Sequence, residues 1–132
     1  MIETPAAAII SDRLASMVDF FSVGTNDLEQ YTLAVDRQDS RLEKYCRPHH
    51  KAVLRMIKLA ADSIHREGKW ISICGELGSR PEFIELFLAM GIDAISVSPT
   101  MILPLRKKIR TLRISDRQNI LKSYGVIPDG VN

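Results

Sequence analysis

Four short apolar runs of this sequence each end in residues that could do chemistry. Two carboxylates, Glu3 and Asp27, could share a hard divalent cation, which prefers oxygen ligands and keeps several waters. The amide of Asn26 could hydrogen-bond a phosphate or a carboxylate, and the thiol of Cys74 could give or take a proton. The four endings are Glu3, Gly24-Thr25-Asn26-Asp27, Cys74-Gly75-Glu76 and Ser96-Val97-Ser98-Pro99-Thr100.

Each of these residues also has a simpler interpretation. Asp27 could cap a helix, Cys74 could be a small buried hydrophobe, and Glu3 could be a surface charge. Arg37, in Val35-Asp36-Arg37, could form a surface ion pair. The coincidence of four such endings strengthens the case for a metal-assisted site, but the residues taken alone leave these alternatives open.

The spacing of the apolar runs predicts a parallel α/β fold. Val18–Gly24, Trp70–Cys74 and Ala94–Val97 are short and unalternated, which is typical of strands covered on both faces, and Met1–Glu3 could end a fourth strand. Strands that alternate with helices pair in parallel, so their carboxyl ends meet at one edge. Predicted helices are Pro5–Met17, Pro48–Gly68, Ser79–Gly91, one from Pro99 and one capped at Ser115-Asp116, followed by a frayed tail over Gly125–Asn132.

Composition excludes several classes of protein. The chain has 132 residues, 45% of them hydrophobic and 26% charged, which excludes a disordered tail, collagen and a disulfide-stapled miniprotein. We expect a cytoplasmic protein with no membrane partner, because no apolar run reaches about 18 residues and no signal sequence is evident. Residues 105–132 carry seven basic and two acidic residues without interleaved aromatics, which favours a solvated helix face over nucleic-acid binding.

The amino-acid sequence of these segments resembles that of the C-terminal region of the phosphoenolpyruvate-utilising enzymes, over residues 1–113. Within that family, the segments YTLAVDR and SPTMILPLR look more like the Enzyme I branch of the sugar phosphotransferase system than like pyruvate phosphate dikinase or phosphoenolpyruvate synthase. Residues 114–132 would add a C-terminal helix and tail. The blocks that carry the resemblance are MIETPAA, DFFSVGTNDL, QYTLAVDR, GKW, CGE and SVSP.

The resemblance implies a (β/α)8 barrel that binds phosphoenolpyruvate and Mg²⁺ at its C-terminal face, with this chain as the last four strand–helix units. It implies that Glu3 and Asp27 bind the magnesium ion. It implies that Asn26 and Arg37 bind the substrate, and that Cys74 is the acid that protonates the enolate on its way to pyruvate.

One departure and one absence limit what the resemblance implies. After Cys74-Gly75-Glu76 the family usually continues with Met/Leu-Ala-Gly-Asp, whereas this chain has Leu77-Gly78-Ser79-Arg80. His49, His50 and His65 lie away from the motifs and are interpreted as surface histidines, so none is a candidate phosphohistidine.

We therefore expect part of a longer phosphotransferase that is not competent alone, with a barrel half and a phosphohistidine domain as its missing partners. An open half barrel should also self-associate, as a homodimer or otherwise. The alternatives are a non-catalytic phosphoenolpyruvate-sensing or oligomerisation module, a part of a dikinase or synthase, and a stand-alone α/β metal enzyme.

Overall fold

A computed structural model describes residues 1–46 and 49–128, except for the side chain of Glu43. Helices and strands alternate along these ranges, so the α/β prediction is confirmed at this level. Short 3₁₀ turns occur at Ser40–Tyr45, Glu76–Ser79 and Pro81–Phe83. The regular elements are α1 Pro5–Ile9, α2 Ser11–Ala15, β1 Phe20–Gly24, α3 Thr25–Leu33, α4 Lys51–Arg66, β2 Trp70–Cys74, α5 Ile84–Met90, β3 Ala94–Ile95, α6 Pro99–Thr111 and α7 Arg117–Ser123.

The three strands form one parallel sheet in the order β1-β2-β3. In the β1–β2 register Ser22 lies opposite Ser72 and Gly24 opposite Cys74, so the polar strand ends are brought to the same edge. The predicted fourth strand is reduced to a single parallel bridge between Ile2 and Val23, on the free side of β1. The polar endings therefore meet at one edge of the sheet, as the sequence predicted.

The two faces of the sheet differ in burial, which corrects the prediction that both would be covered. Phe21, Val23, Ile71 and Ile73 are buried in the hydrophobic core on one side, where α4 packs against β1 and β2. The alternate positions are more open: Phe20 and Trp70 are 46% and 44% exposed. The continuous apolar runs predicted that helices would cover both faces of the sheet. In the described residues of this chain, helices cover only one of the two faces.

Local signals explain most helix boundaries. The predicted helix Pro5–Met17 is broken at Ile10, whose ψ of 18° leaves the helical range, so it becomes α1 and α2. The helix predicted from Pro48 begins at Lys51, and Pro48 itself lies outside the described residues. Gly91, with a φ of +90°, ends α5 in the left-handed conformation that glycine favours.

The C-terminal elements pack more closely than a frayed tail would. Asp116 caps α7 by accepting a hydrogen bond from the Asn119 amide at 2.9 Å, as predicted. Beyond α7, Val126 is 5% exposed and belongs to the core, so the frayed-tail prediction is wrong at this position, and residues 129–132 lie outside the described ranges. No helix in the described part of the chain is long and apolar enough to span a lipid bilayer.

Candidate functional site

The carboxylate of Glu3 lies directly over Gly24 at the carboxyl end of β1. The bridge that places it there is formed by two hydrogen bonds, from the Ile2 amide to the Ser22 carbonyl and from the Gly24 amide to the Ile2 carbonyl, at 2.8 and 3.0 Å. A Cβ atom added to Gly24 would lie 2.6 Å from Oε1 of Glu3. The absence of a side chain at Gly24 is therefore what makes room for this carboxylate.

Asp27 stands in the first turn of α3, directly after that glycine. No side-chain hydrogen bond caps this helix, so Asp27 is not its cap, and its carboxylate instead faces Arg37 at 3.5 Å between Nη2 and Oδ1. Both side chains are more than 40% exposed. Ala34, with a φ of 53°, ends the helix and turns the chain back so that Arg37 reaches the first turn. At this separation neither group is tightly held, and both remain able to bind other partners.

The half-buried thiol of Cys74 has two polar neighbours, both on β1. Its Sγ–H donates to the carbonyl of Val23 at 3.3 Å, and the hydroxyl of Ser22 donates to Sγ at 3.6 Å. Cys74 forms no disulfide. The sulfur is therefore held at the strand edge, on the face that carries Phe20 and Trp70 at its other end.

The loop after Cys74 is fastened to α3 by two side chains. The buried Thr25 hydroxyl donates to the Cys74 carbonyl at 3.0 Å, and the Glu76 amide donates to Oδ1 of Asn26 at 3.1 Å. Gly75 adopts a φ of +103° between them. Because Oδ1 of Asn26 is used inside the protein, its Nδ2 hydrogens are the part left to bind an anion.

The residues Gly78-Ser79-Arg80, which depart from the family's usual sequence, lie partly at the candidate site and partly on the surface. Ser79 is half-buried and lines an open depression beside Gly75 and Glu76, while Arg80 is exposed and forms none of the ion pairs found among the described residues. The change therefore brings a hydroxyl to the site. Asn26, Ser96, Val97 and Ser98 complete the lining of the depression.

The histidines lie away from these groups. His49 and His50 are exposed, and Nδ1 of His50 accepts the Ala52 amide and caps α4. His65 is not simply a surface residue: its Nε2 lies 2.9 Å from Oδ2 of Asp93, which also accepts the amide of Ile71. Burial raises the pKa of Asp93, but the hydrogen bonds from His65 and Ile71 outweigh it, so this pKa lies below its ordinary value.

The donor set fits a hard cation only in part. Glu3 and Asp27 offer carboxylate oxygens on adjacent strand ends, and the space over Gly24 is open for one of them. Within the described ranges no group of three or more His, Cys, Asp or Glu side chains could hold a metal by itself. A cation at this edge would therefore need further oxygens from water and from a bound anion, as Mg²⁺ commonly does.

Sequence reasoning missed the roles of Ser22 and Gly24. Ser22 contacts the thiol, and Gly24 makes room for a carboxylate. Both fall in the block DFFSVGTNDL, but Ser22 lies inside the apolar run and Gly24 closes it, and the sequence pattern assigns neither residue a role of its own. The period of two residues along a strand was the available signal, because it places Ser22 and Gly24 on one face beside Cys74 once the register is known.

Comparison with known proteins identifies the family. Residues 1–114 match the sequence profile of the phosphoenolpyruvate-utilising enzymes, in the part described as the phosphoenolpyruvate-binding domain. The chain belongs to the phosphoenolpyruvate-utilising enzyme family. This match confirms the resemblance read from the sequence motifs.

Similar curated proteins are named phosphoenolpyruvate-protein phosphotransferase. The chain is 48% identical over 112 residues to the protein of Bacillus sp. (strain S), covering 85% of this chain and 19% of that protein. It is 46% identical over 112 residues to the Bacillus subtilis protein, a match that covers 85% of this chain and 20% of that protein. It is 42% identical over 120 residues to the Staphylococcus carnosus protein, and this match covers 91% of this chain and 21% of that protein. The chain thus spans about a fifth of the length of these relatives.

Proposed function

We propose that this chain forms part of the phosphoenolpyruvate site of a phosphoenolpyruvate–protein phosphotransferase. In that reaction a phosphoryl group passes from phosphoenolpyruvate to a protein histidine, and the enolate that is left takes a proton and becomes pyruvate. The observation that carries the proposal is the gathering of Glu3, Asp27, Arg37 and Cys74 at one sheet edge, in a chain that matches the family's phosphoenolpyruvate-binding domain.

Each side chain has a role that its surroundings support. The carboxylates of Glu3 and Asp27 would hold Mg²⁺, which when bound neutralises charge on the substrate's phosphate and carboxylate. Arg37, only loosely paired with Asp27, would turn its guanidinium to the phosphate. Asn26 would donate from Nδ2, since its Oδ1 is bound to the Glu76 amide. Cys74 would give the proton to the enolate carbon.

The sheet supports the finer proposal that these strands belong to a (β/α)8 barrel. All pairings are parallel, and helices cover one face while the face of Phe20 and Trp70 stays open. We propose that the remaining barrel strands and the phosphorylated histidine come from other segments or chains. Without them the open face would drive self-association, which size-exclusion chromatography with light scattering would detect as a rise in mass with concentration.

Titration of the chain with phosphoenolpyruvate, with and without Mg²⁺, tests the proposed site. We expect binding that depends on the metal and that falls at least tenfold in Asp27→Asn, because the amide keeps the shape of the side chain but loses its charge. Asp93→Asn is the matched control, since that carboxylate lies at the opposite end of the sheet beside His65. Isothermal titration calorimetry gives both affinities.

The same titration separates the proposal from its alternatives. Metal-independent binding that survives Asp27→Asn would favour a sensing module, and no binding to the parent chain would overturn the proposed site. Transfer of labelled phosphate from phosphoenolpyruvate to a histidine of the isolated chain would contradict the expectation that the chain is not competent by itself.

A further inference from the structure

We propose that Ser22 is a positioning residue that donates a hydrogen bond to the sulfur of Cys74 and stabilises the thiolate. This inference rests on the proposed function, in which Cys74 is the acid. In the parallel register the Ser22–Ser72 pair lies two residue pairs below the Gly24–Cys74 pair, and therefore on the same face of the sheet. Its hydroxyl donates to Sγ at 3.6 Å, within the range of an O–H···S contact.

The sulfur is placed between a donor and an acceptor. The thiol gives its own hydrogen to the Val23 carbonyl at 3.3 Å, while Ser22 approaches as the donor. Rotation about the Cβ–Sγ bond can turn the S–H away from Val23 toward a substrate without moving the sulfur. The hydrogen bond from Ser22 would hold the sulfur in place during this rotation.

The contact matters most after the proton has left. In the proposed step the S–H bond breaks and a C–H bond forms at the enolate carbon, so the electron pair of the S–H bond stays on sulfur as a thiolate. The sulfur can then no longer donate a hydrogen bond to the Val23 carbonyl, and the half-buried anion is left with the Ser22 hydroxyl as its side-chain donor in the described structure. A hydrogen bond to an anion stabilises it more than the same bond to a neutral group.

A second serine on this face provides a control within the chain. Ser72 lies opposite Ser22, but its hydroxyl donates to the Phe21 carbonyl at 3.4 Å and not to sulfur. Removing it changes the same face by the same group without touching the thiol. The charged side chains on the elements around Cys74 at this rim are Glu3, Asp27, Arg37 and Glu76, and none of them changes in the variants below.

The reactivity of the thiol measures the thiolate directly. In a Cys46→Ser background Cys74 is the sole cysteine of the chain, and its alkylation by iodoacetamide, followed against pH without substrate or metal, depends on the thiolate fraction. In Ser22→Ala we expect the rate at pH 7 to fall about fivefold, the size of one modest hydrogen bond, and the curve to move to higher pH with the same plateau. Ser22→Thr should stay within about twofold of the parent, because it keeps the hydroxyl.

The controls decide the outcome. Ser72→Ala should leave the curve in place, and far-ultraviolet circular dichroism checks the fold of each variant. If Ser22→Ala does not fold, the Ser22→Thr and Ser22→Val pair carries the test, since the two side chains share a shape that suits a strand and differ in the hydroxyl.

An unchanged pH curve in Ser22→Ala or Ser22→Val, or an equal shift in Ser72→Ala, would overturn the proposal. A fall in the plateau alone would overturn it too, because that result reports access and not thiolate. The assay contains no phosphoenolpyruvate, so its failure is distinct from failure of the proposed site in the titration above.

Discussion

The two ends of the parallel sheet are held together in different ways. At the carboxyl end, Thr25 and Asn26 form hydrogen bonds with the backbone of Cys74 and Glu76. The carboxylates of Glu3 and Asp27 at this end can still bind further partners. At the amino end the side chains bind structural partners: Phe20 and Trp70 stack with centroids 4.3 Å apart, and Asp93 bonds His65 and Ile71.

The contrast shows how one sheet can be held rigidly and still keep charged side chains available. Polar side chains at the carboxyl end fix the backbone and leave the charged groups available, which is the arrangement expected of a ligand-binding rim. Polar side chains at the amino end are already engaged in hydrogen bonds that hold the fold together. Changes to the carboxylates at the first end should therefore affect binding more than stability, and changes to the loop that Thr25 and Asn26 hold there should affect both. Changes at the second end should affect stability and leave binding as it is.

The largest expected effect is at Gly75, and Gly68 at the other end of β2 is its matched control. Both have positive φ, +103° and +67°. A Cβ on Gly75 would overlap the Thr25 hydroxyl and lie 3.0 Å from Oδ1 of Asn26, whereas nothing lies within 4 Å of a Cβ on Gly68. We expect Gly75→Ala to lower the free energy of unfolding by about 3 kcal/mol and Gly68→Ala by about 1 kcal/mol, measured by urea denaturation.

Gly75→Ala should also weaken metal-dependent phosphoenolpyruvate binding, because the loop that it distorts holds Asn26. Gly68→Ala should leave that binding as it is in the parent chain. Equal losses of stability in the two variants would show that the fastening of the loop by Thr25 and Asn26 adds nothing beyond backbone strain.

An intermediate effect is expected for Gly24→Ala, on binding more than on stability. The φ of Gly24 is −84°, which alanine adopts without strain, and the atoms that its Cβ would meet are the flexible end of Glu3. The carboxylate should move aside at a cost below about 1 kcal/mol in stability. Because it then leaves its place at the strand edge, we expect metal-dependent affinity for phosphoenolpyruvate to fall about tenfold by calorimetry.

A double-mutant cycle sharpens this result. In a Glu3→Ala background the carboxylate is gone, so Gly24→Ala should cause little further loss of affinity. A full additional loss in that background would mean that Gly24 acts through something other than Glu3.

The sequence was sufficient to place the candidate site because of one physical rule. Parallel strands bring their carboxyl ends to one edge, so Glu3, Asn26, Asp27 and Cys74 could be grouped without coordinates. The contacts of Ser22 and the room over Gly24 could not be predicted. They depend on a register between strands about 50 residues apart, and a shift of one residue would turn these groups to the other face.

The burial of the sheet was predicted less well, for a related reason. A continuous apolar run indicates that a strand is covered on both faces but does not say by which residues. Phe20 and Trp70 belong to runs of this kind, yet the described helices pack on the opposite face. The roles proposed for the five site residues likewise depend on a bound ligand, so they stay predictions until the titrations are done.

The smallest expected effect is at the amino end, in Asp93→Asn. The pKa of Asp93 is held below its ordinary value, so its charged form stabilises the folded chain. That contribution is fully present above the unfolded-state pKa of about 3.9 and is lost as the pH falls through the lower folded-state value. The side chain is 45% exposed and water screens its interactions, so we expect Asn to cost less than about 1 kcal/mol at pH 7.

Urea denaturation at pH 7 and at pH 3 measures this difference. The gap between parent and Asp93→Asn should narrow at the lower pH, because the parent's carboxylate then begins to be protonated and loses its advantage over the amide. Asp12→Asn, an exposed position on α2, should show no such gap at either pH. A gap that widens on acidification would mean that Asp93 does not stabilise the fold through its charge.

Phosphoenolpyruvate binding in Asp93→Asn tests the comparison between the two ends of the sheet. The Asp93 carboxylate is already engaged by His65 and the Ile71 amide, so a loss of binding in this variant would contradict the assignment of binding to the carboxyl end.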